Sequence, residues 1–440
     1  MSQICATATL RHLLQRRLLD NAISIIGFTG LDTKEVKPLL KRLVSTVDGI
    51  STLELDQTLV SALFTHDLVQ PHSPNKKSTT GLPFAFVRVI NFELTYGCNL
   101  ACSHCLQDAL RPKSKFNWIP ADAVIRTLHD AKWLGLTTLG VNFTGGETFT
   151  LGSPILELLA VAKDIGTPVR ANTNASWGGQ TDIKIGDRVF ATDEDVMNAL
   201  RDRKLGRLAL SLDNRYDQYP KLLDRVIRVA LLCETAKQHY EVVATEPRAD
   251  IVKLAVEKLT AALGRKPNYL SITPMETVDI GAAALHNQGL LESKTLEDLA
   301  QTSPCATFGF HRPNYLHVAP DGGVRTCMYA PGAGWHGNII HERLPKILNN
   351  ASENPIYLLF KSNNFALFVD KHITPWQHLY KEITHGCTAS AIIARIAEEV
   401  HRKENTCNRR LTAKEMEELH KKIASDYHLN ARNHSSLNTF

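Results

Sequence analysis

The spacing of hydrophobic positions changes character near residue 84. Before it, "TKEVKPLLKRLVSTV" (33–47) and "STLELDQTLVSALF" (51–64) carry apolar residues at helical intervals, so residues 1–80 read as a mostly helical unit. "PHSPNKKSTTGLP" (71–83), rich in Pro, Ser, Thr and Lys, breaks the pattern like a linker and sets a domain boundary. Beyond it, short apolar runs alternate with amphipathic stretches. Strands are expected in "FAFVRVINFEL" (84–94), "TTLGVNFT" (137–144), "TPVRANTN" (167–174), "RLALSLD" (207–213), "YEVVATE" (240–246) and "NYLSITP" (268–274). Helices are expected near 120–134, 153–165, 193–203, 220–238 and 250–263; in the first, Val124, Leu128, Ala131 and Leu134 share one face. Parallel strands need crossover connections, so six β/α units in series predict an α/β fold with a parallel sheet. Six units rather than eight predict an open, partial (β/α)6 TIM-like barrel, with its chemistry at the C-terminal ends of the strands.

After about residue 300 the alternation stops. "YLHVAPDGGVRTCMY" reads as a hairpin turning at Asp321-Gly322-Gly323. Helices are expected near 342–350 and 386–403, and the last 20 or so residues read as polar and frayed. The resulting division is a helical unit over 1–80, a core over 84–290, an extension over 300–405 and a polar helical tail over 406–440.

Composition adds mainly exclusions. Of 440 residues, 43% are hydrophobic and 22% charged, which suits a globular chain. The net charge of +5 is spread out, and no run of five Lys or Arg argues for nucleic acid. No stretch of 18 apolar residues is present to span a membrane. The segment before Asp20 has no acid and carries Arg11, Arg16 and Arg17. It reads as the first helix of the N-terminal unit, with an organelle transit peptide as the alternative. Nine cysteines, an odd number without a secreted-framework spacing, fit a reducing cytoplasmic setting.

Three of those cysteines crowd into "TYGCNLACSHCLQDA" (95–109): Cys98, Cys102 and Cys105, in the loop after the first core strand. Zinc usually takes four ligands in pairs, and apart from His104 no matching pair stands nearby. Three thiolates suit a [4Fe–4S] cluster with one iron left open.

"CNLACSHC" resembles the C-x3-C-x-Φ-C signature of the radical S-adenosylmethionine (radical SAM) superfamily, with His104 where an aromatic Φ is usual. The resemblance implies that the open iron binds S-adenosylmethionine, whose reductive cleavage yields a 5′-deoxyadenosyl radical that abstracts hydrogen from a substrate. "NFTGGETF" resembles the superfamily's GGE motif, so Gly145, Gly146 and Glu147 are expected to receive the methionine ammonium, the glycines allowing close main-chain approach. Asn172, Asn174, Ser211 and Asp213, at the ends of the third and fourth strands, are the ribose candidates. Asn174 and Asp213 have helix capping as the plainer alternative.

Cys305, Cys327 and Cys387, the first two flanking the hairpin, resemble the C-terminal extension of the SPASM and twitch subgroups, which hold a second iron–sulfur cluster. A full SPASM set needs seven extra cysteines and only five follow Cys105, one of them the mid-helix Cys233, so at most one twitch-like auxiliary cluster is implied. Cys407 is the expected fourth ligand, with His385 or the substrate as alternatives; a lost cluster leaving plain thiols is the contrary reading. The substrate is expected to be a peptide or natural product that is oxidised, crosslinked or epimerised. A sugar, aminoglycoside or nucleoside is the alternative. A reductant such as flavodoxin or ferredoxin would supply the electron. Leader-reading modules bind peptide at a sheet edge, so the helical reading of 1–80 lowers that role. Asp217, Tyr219 and Tyr329 receive no role, because a polar surface loop explains them equally well. A non-catalytic iron–sulfur or zinc protein is the reading from another class, opposed by the presence of "GGE".

Overall fold

The computed structural model describes residues 3–27, 33–46, 50–52, 55–71, 87–102, 105, 117–212, 219–245, 249–275, 315–325, 336–351, 354, 365–380 and 386–433. The N-terminal unit runs β1 (Gln3–Ala6), α1 (Ala8–Gln15), α2 (Leu19–Gly27), α3 (Thr33–Ser45), β2 (Ile50–Ser51), α4 (Gln57–Thr65) and β3 (Val69–Pro71). Its strands form an antiparallel sheet in the order β2-β1-β3, which the helical reading of 1–80 did not contain. Strands of two to four residues are too short to display a period of two. The Thr7 hydroxyl caps α1 by accepting from the Leu10 N–H, and Leu10 and Leu13 are fully buried in a core continuous with that of the main sheet.

Among the described residues, nine strands make the main sheet, in the order β11-β10-β9-β6-β5-β4-β12-β13-β14. Six of them, β4 (Val89–Glu93), β5 (Gly140–Thr144), β6 (Val169–Thr173), β9 (Arg207–Ser211), β10 (Tyr240–Thr245) and β11 (Leu270–Met275), are parallel and lie side by side in chain order. They coincide with the six expected runs. The helices between them are α5 (Ala121–Trp133), α6 (Ile155–Asp164), α7 (Asp193–Asp202), α8 (Lys221–Ala236) and α9 (Ala249–Leu263). A hairpin not foreseen in the sequence, β7 (Thr181–Ile185) with β8 (Arg188–Thr192), stands between β6 and α7.

The two faces of this sheet differ sharply. In-register residues Ile90, Phe92, Val141, Phe143, Val169, Ala171, Leu208 and Leu210 form one face, all buried. The opposite face carries Asn91, Asn142, Thr144, Arg170, Asn172, Ser211, Ser271 and Thr273, all half-buried. Alternation at period two puts these sets on opposite sides. The apolar set packs under helices, as Val242 and Leu270 do under α8 and α9.

The expected hairpin forms from β12 (Tyr315–Val318) and β13 (Gly323–Arg325), with Gly322 at φ +82° in its turn. It joins the main sheet, because β12 runs parallel to β4, and β14 (Gly337–Asn338) follows at the edge. Next come α10 (Leu344–Ala351), α11 (Phe365–His372), a 3₁₀ turn (Thr374–Leu379), α12 (Gly386–Cys407) and α13 (Ala413–Asn433). The stretch read as a polar, frayed tail is therefore largely α13. Its Met416, Leu419 and Ile423 pack with Ile392, Ile393 and Ile396 of α12 in a second core.

Helix α12 corrects one expectation. Cys387 and Cys407 lie 20 positions apart on this one helix, about 30 Å at 1.5 Å per residue. Cys407 therefore cannot complete a cluster that Cys387 also holds. No helix among the described residues is long and apolar enough to cross a membrane.

One buried carboxylate ties β11 to α8. Glu234, 3% exposed, accepts from the N–H groups of Tyr269 (2.9 Å) and Asn268 (2.9 Å), from Arg265 Nη1 (3.0 Å) and from the Tyr240 hydroxyl (3.2 Å). Burial pushes its acidity toward the neutral form. The Tyr269 and Asn268 N–H groups, then Arg265 and Tyr240, outweigh this and hold it below the usual carboxylate value. A depressed folded pKa stabilises above the unfolded value, about 4.3 for glutamate, and that stabilisation is lost as pH falls through the folded value. Glu234→Gln is expected to lower the melting temperature at neutral pH and to flatten its decline below about pH 4. Melting curves across pH check this; parallel curves for the two proteins would contradict it.

Candidate functional site

Chain leaving the C-terminal end of β4 carries Cys98, and two crossings of backbone decide where that loop lies. The Gly146 N–H donates to Thr95 O (2.7 Å) and the Glu147 N–H to Gly97 O (2.9 Å), so the loops after β4 and β5 are bonded main chain to main chain. A Cβ on Gly146 would sit 1.7 Å from Gly97 O. Gly145 has φ +125°, and its Cβ would meet Thr95 O at 2.3 Å. Only glycine meets both conditions without distorting the neighbouring loop. The Thr95 hydroxyl tightens the turn by accepting from the Gly97 N–H (3.0 Å).

The third strand end is drawn in by Glu147, 1% exposed. Its Oε1 accepts from the Phe149 N–H (3.0 Å) and the Thr173 hydroxyl (2.9 Å), and its Oε2 from the Asn174 N–H (2.7 Å). Asn174 in turn donates through Nδ2 to Asn99 Oδ1 (2.8 Å), with Cys98 Sγ 3.9 Å from the same nitrogen. Asn99 donates to the Ser176 hydroxyl (2.8 Å), and the Ala101 N–H donates to the Tyr219 hydroxyl (3.2 Å). The cysteine loop is thus strapped to β5, to β6 and to the segment leading into α8.

Cys98, Cys102 and Cys105 are all half-buried. Burial pushes the Cys98 thiol up to about 12, helped by the Glu147 carboxylate and by neighbouring Cys102 and Cys105, while the Leu100 N–H pulls the other way. Among the described residues no three His, Cys, Asp or Glu side chains converge closely enough to hold a single metal ion.

Below the loop, the polar face of the sheet continues the site. Glu93 and Arg325, 1% and 3% exposed, pair at 2.7 Å, with the Tyr96 hydroxyl 3.4 Å from Arg325. This pair joins β13 to the base of the cysteine loop. Burial, and then Glu93, raise the Tyr96 phenol to about 12. Burial, and then Arg325, lower His317 to about 3, so its ring is neutral beside Asn91, 3.3 Å away.

The structure therefore brings Cys98, Cys102, Cys105, Gly145, Gly146, Glu147 and Asn174 to one end of the sheet, with Ser211 at the end of β9. Asn172 belongs to the polar face, where its Oδ1 accepts from Arg170. His104, Asp213, Asp217, Cys305, Cys327, Tyr329 and His385 lie outside the described residues, as does the side chain of Cys387. Thr95, Asn99, Thr173, Ser176 and Tyr219 were not foreseen as parts of the site. Tyr219 lies 118 positions from its partner, and no local pattern marks such a contact.

Residues 92–244 match the profile of the radical SAM superfamily. GTP 3′,8-cyclase of Synechococcus sp. (strain CC9605) is 30% identical over 142 residues, 31% of this chain and 38% of that protein. The chain thus spans well under half of that relative's length. A crystal structure of BtrN in complex with AdoMet and 2-DOIA overlaps 63% of this chain and 89% of its own, at 11% identity and a TM-score of 0.35.

Proposed function

We propose that this chain is a radical SAM enzyme, with the parallel sheet as its partial barrel and Cys98, Cys102 and Cys105 holding a [4Fe–4S] cluster open at one iron. The observation that carries this reading is the main-chain lock between the cysteine loop and Gly145-Gly146-Glu147. It brings three sulfur donors beside unpaired acceptors: the Gly145 and Gly146 carbonyls accept no hydrogen bond among the described residues. The donor set fits a cluster better than a lone ion. Three thiolates from one loop, without a paired fourth ligand, suit a cluster with one iron left open. When reduced and bound to S-adenosylmethionine, such a centre supplies a 5′-deoxyadenosyl radical for hydrogen abstraction from a substrate.

The chain's own residues divide the remaining work. The Gly145 and Gly146 carbonyls would accept the methionine ammonium. The Glu147 carboxylate already has three donors, so its part is to hold the strand ends together. Asn174, with both side-chain ends engaged, positions the loop, which leaves Ser211 and Asp213 as the ribose candidates and His104 beside the adenine. A flavodoxin or ferredoxin would deliver the electron. A second cluster on Cys305, Cys327 and Cys387 would need a fourth ligand other than Cys407.

Anaerobic reconstitution tests the reading. The wild type is expected to bind about four irons, or about eight with a second cluster, and the Cys98/Cys102/Cys105→Ala variant about four fewer. The wild type should release 5′-deoxyadenosine and the variant none. Unchanged iron in the variant, or no cleavage by fully loaded wild type, would reject it.

A further inference from the structure

The polar face of the parallel sheet has a feature that S-adenosylmethionine does not account for. Arg170, the second residue of β6, lies across three neighbours. Its Nε donates to Glu241 Oε2 on β10 (2.9 Å), and its Nη1 to Asn142 Oδ1 on β5 (3.0 Å) and to Asn172 Oδ1. The Arg170 side chain keeps 27% of its surface exposed, and Arg207, 3.9 Å from Glu241, keeps 51%. Burial would push Glu241 toward its neutral form, but the Arg170 hydrogen bond, with Thr273 and the Arg170 and Arg207 charges, holds it as a carboxylate.

The chemistry of this floor is narrow. Arg170 Nη2 makes no hydrogen bond among the described residues, and the Asn142 and Asn172 amides spend their oxygens on Arg170, leaving Nδ2 donors. Glu241, 4% exposed, already accepts from Arg170 and is hydrogen-bonded to Thr273, and the Ser271 hydroxyl donates to Tyr240 O (3.3 Å), so what these groups offer beside the donors is their remaining oxygen lone pairs. A hydroxyl group both donates and accepts, so a ligand with several adjacent hydroxyls can satisfy such an array. An apolar or aromatic group laid on it would strand polar atoms without partners and be rejected. Four positions along an extended strand separate Arg170 from Asn174, which adjoins Cys98 Sγ. That is about 13 Å, the depth of one or two sugar-sized rings.

We propose that this face is the substrate floor and that it takes a small polyhydroxylated molecule, a cyclitol or sugar, gripped by Arg170, Glu241 and Asn142. This rests on the radical SAM reading and adds the substrate class to it.

The test is direct binding to the reconstituted holoenzyme by ligand-observed NMR. The probes are myo-inositol, glucosamine, guanosine 5′-triphosphate and an Ala-Val-Phe-Leu peptide. Saturable binding of a cyclitol or aminosugar is expected. It should weaken about tenfold or more in both Arg170→Lys and Asn142→Ala, because each removes a hydrogen bond in a charged array. Iron content and melting temperature identify a variant that has simply failed to fold, and Asn142→Ala leaves the Arg170–Glu241 pair intact should Arg170→Lys do so. Binding of the peptide or the triphosphate in place of the polyols would overturn the proposal, as would polyol binding that both variants leave unchanged. Failure of the radical SAM reading shows separately, as loss of iron binding or of S-adenosylmethionine cleavage in the wild type.

Discussion

Gly146→Ala is expected to abolish iron incorporation and with it all S-adenosylmethionine cleavage, although it adds a single methyl group. That methyl would overlap the Gly97 carbonyl at 1.7 Å, with the Gly97 and Tyr96 carbonyl carbons also in reach. These are backbone atoms and cannot swing aside as a side-chain tip would. The loop after β4 must move, and with it go the Gly146–Thr95 and Glu147–Gly97 hydrogen bonds that position Cys98. Displacement of a ligand-bearing loop by about 1 Å is enough to cost orders of magnitude in activity. Iron and labile sulfide after reconstitution, together with far-ultraviolet circular dichroism, check this. Retained helical and strand signal with lost iron is the expected pair. A variant that loads iron and cleaves S-adenosylmethionine like the wild type would show that the two loops are not coupled in this way.

The second large effect concerns stability and lies far from the cysteines. Asp130 on α5 is fully buried, yet it carries a carboxylate. It accepts from Arg343 Nε (2.8 Å) and Nη2, from the Leu344 N–H at the start of α10 (3.1 Å) and from the Trp133 indole (3.1 Å). One turn further along, α5 meets the N-terminal unit. His12 Nε2 donates to Leu134 O (2.9 Å), Asn21 donates to Trp133 O (3.0 Å), and Asn349 of α10 accepts from the Thr9 hydroxyl (3.1 Å). Asp130→Ala removes the buried partner of a partly exposed arginine, strands the Trp133 indole and leaves a helix start uncapped, so a loss of about 2–3 kcal/mol is expected. Thermal melting checks the size of the effect. Amide exchange should accelerate in 8–27 and 344–351, and confinement of the change to α5 would contradict the linkage.

The sequence by itself determined the β/α alternation, the helix positions, the hairpin near Asp321 and the placing of three cysteines and a Gly-Gly-Glu at adjacent strand ends. These are local quantities. A strand turns alternate side chains to opposite faces and a helix returns every 3.6 residues, so burial is written into spacing. The tertiary structure alone decided which distant groups meet. Val69 and Ile4 could be assigned to a sheet only once paired. Glu147, read as the acceptor for a ligand's ammonium, has three protein donors, one two residues further along its own loop and two at the end of β6. Tyr219, which a surface loop explained equally well, accepts from the cysteine loop. Cys407 lost its role because α12 runs unbroken through it. Except for Cys407, which the length of one helix decides, the deciding energy belongs to a contact between residues far apart in the chain. Such a contact depends on how whole elements pack, and neighbouring residues carry no trace of it.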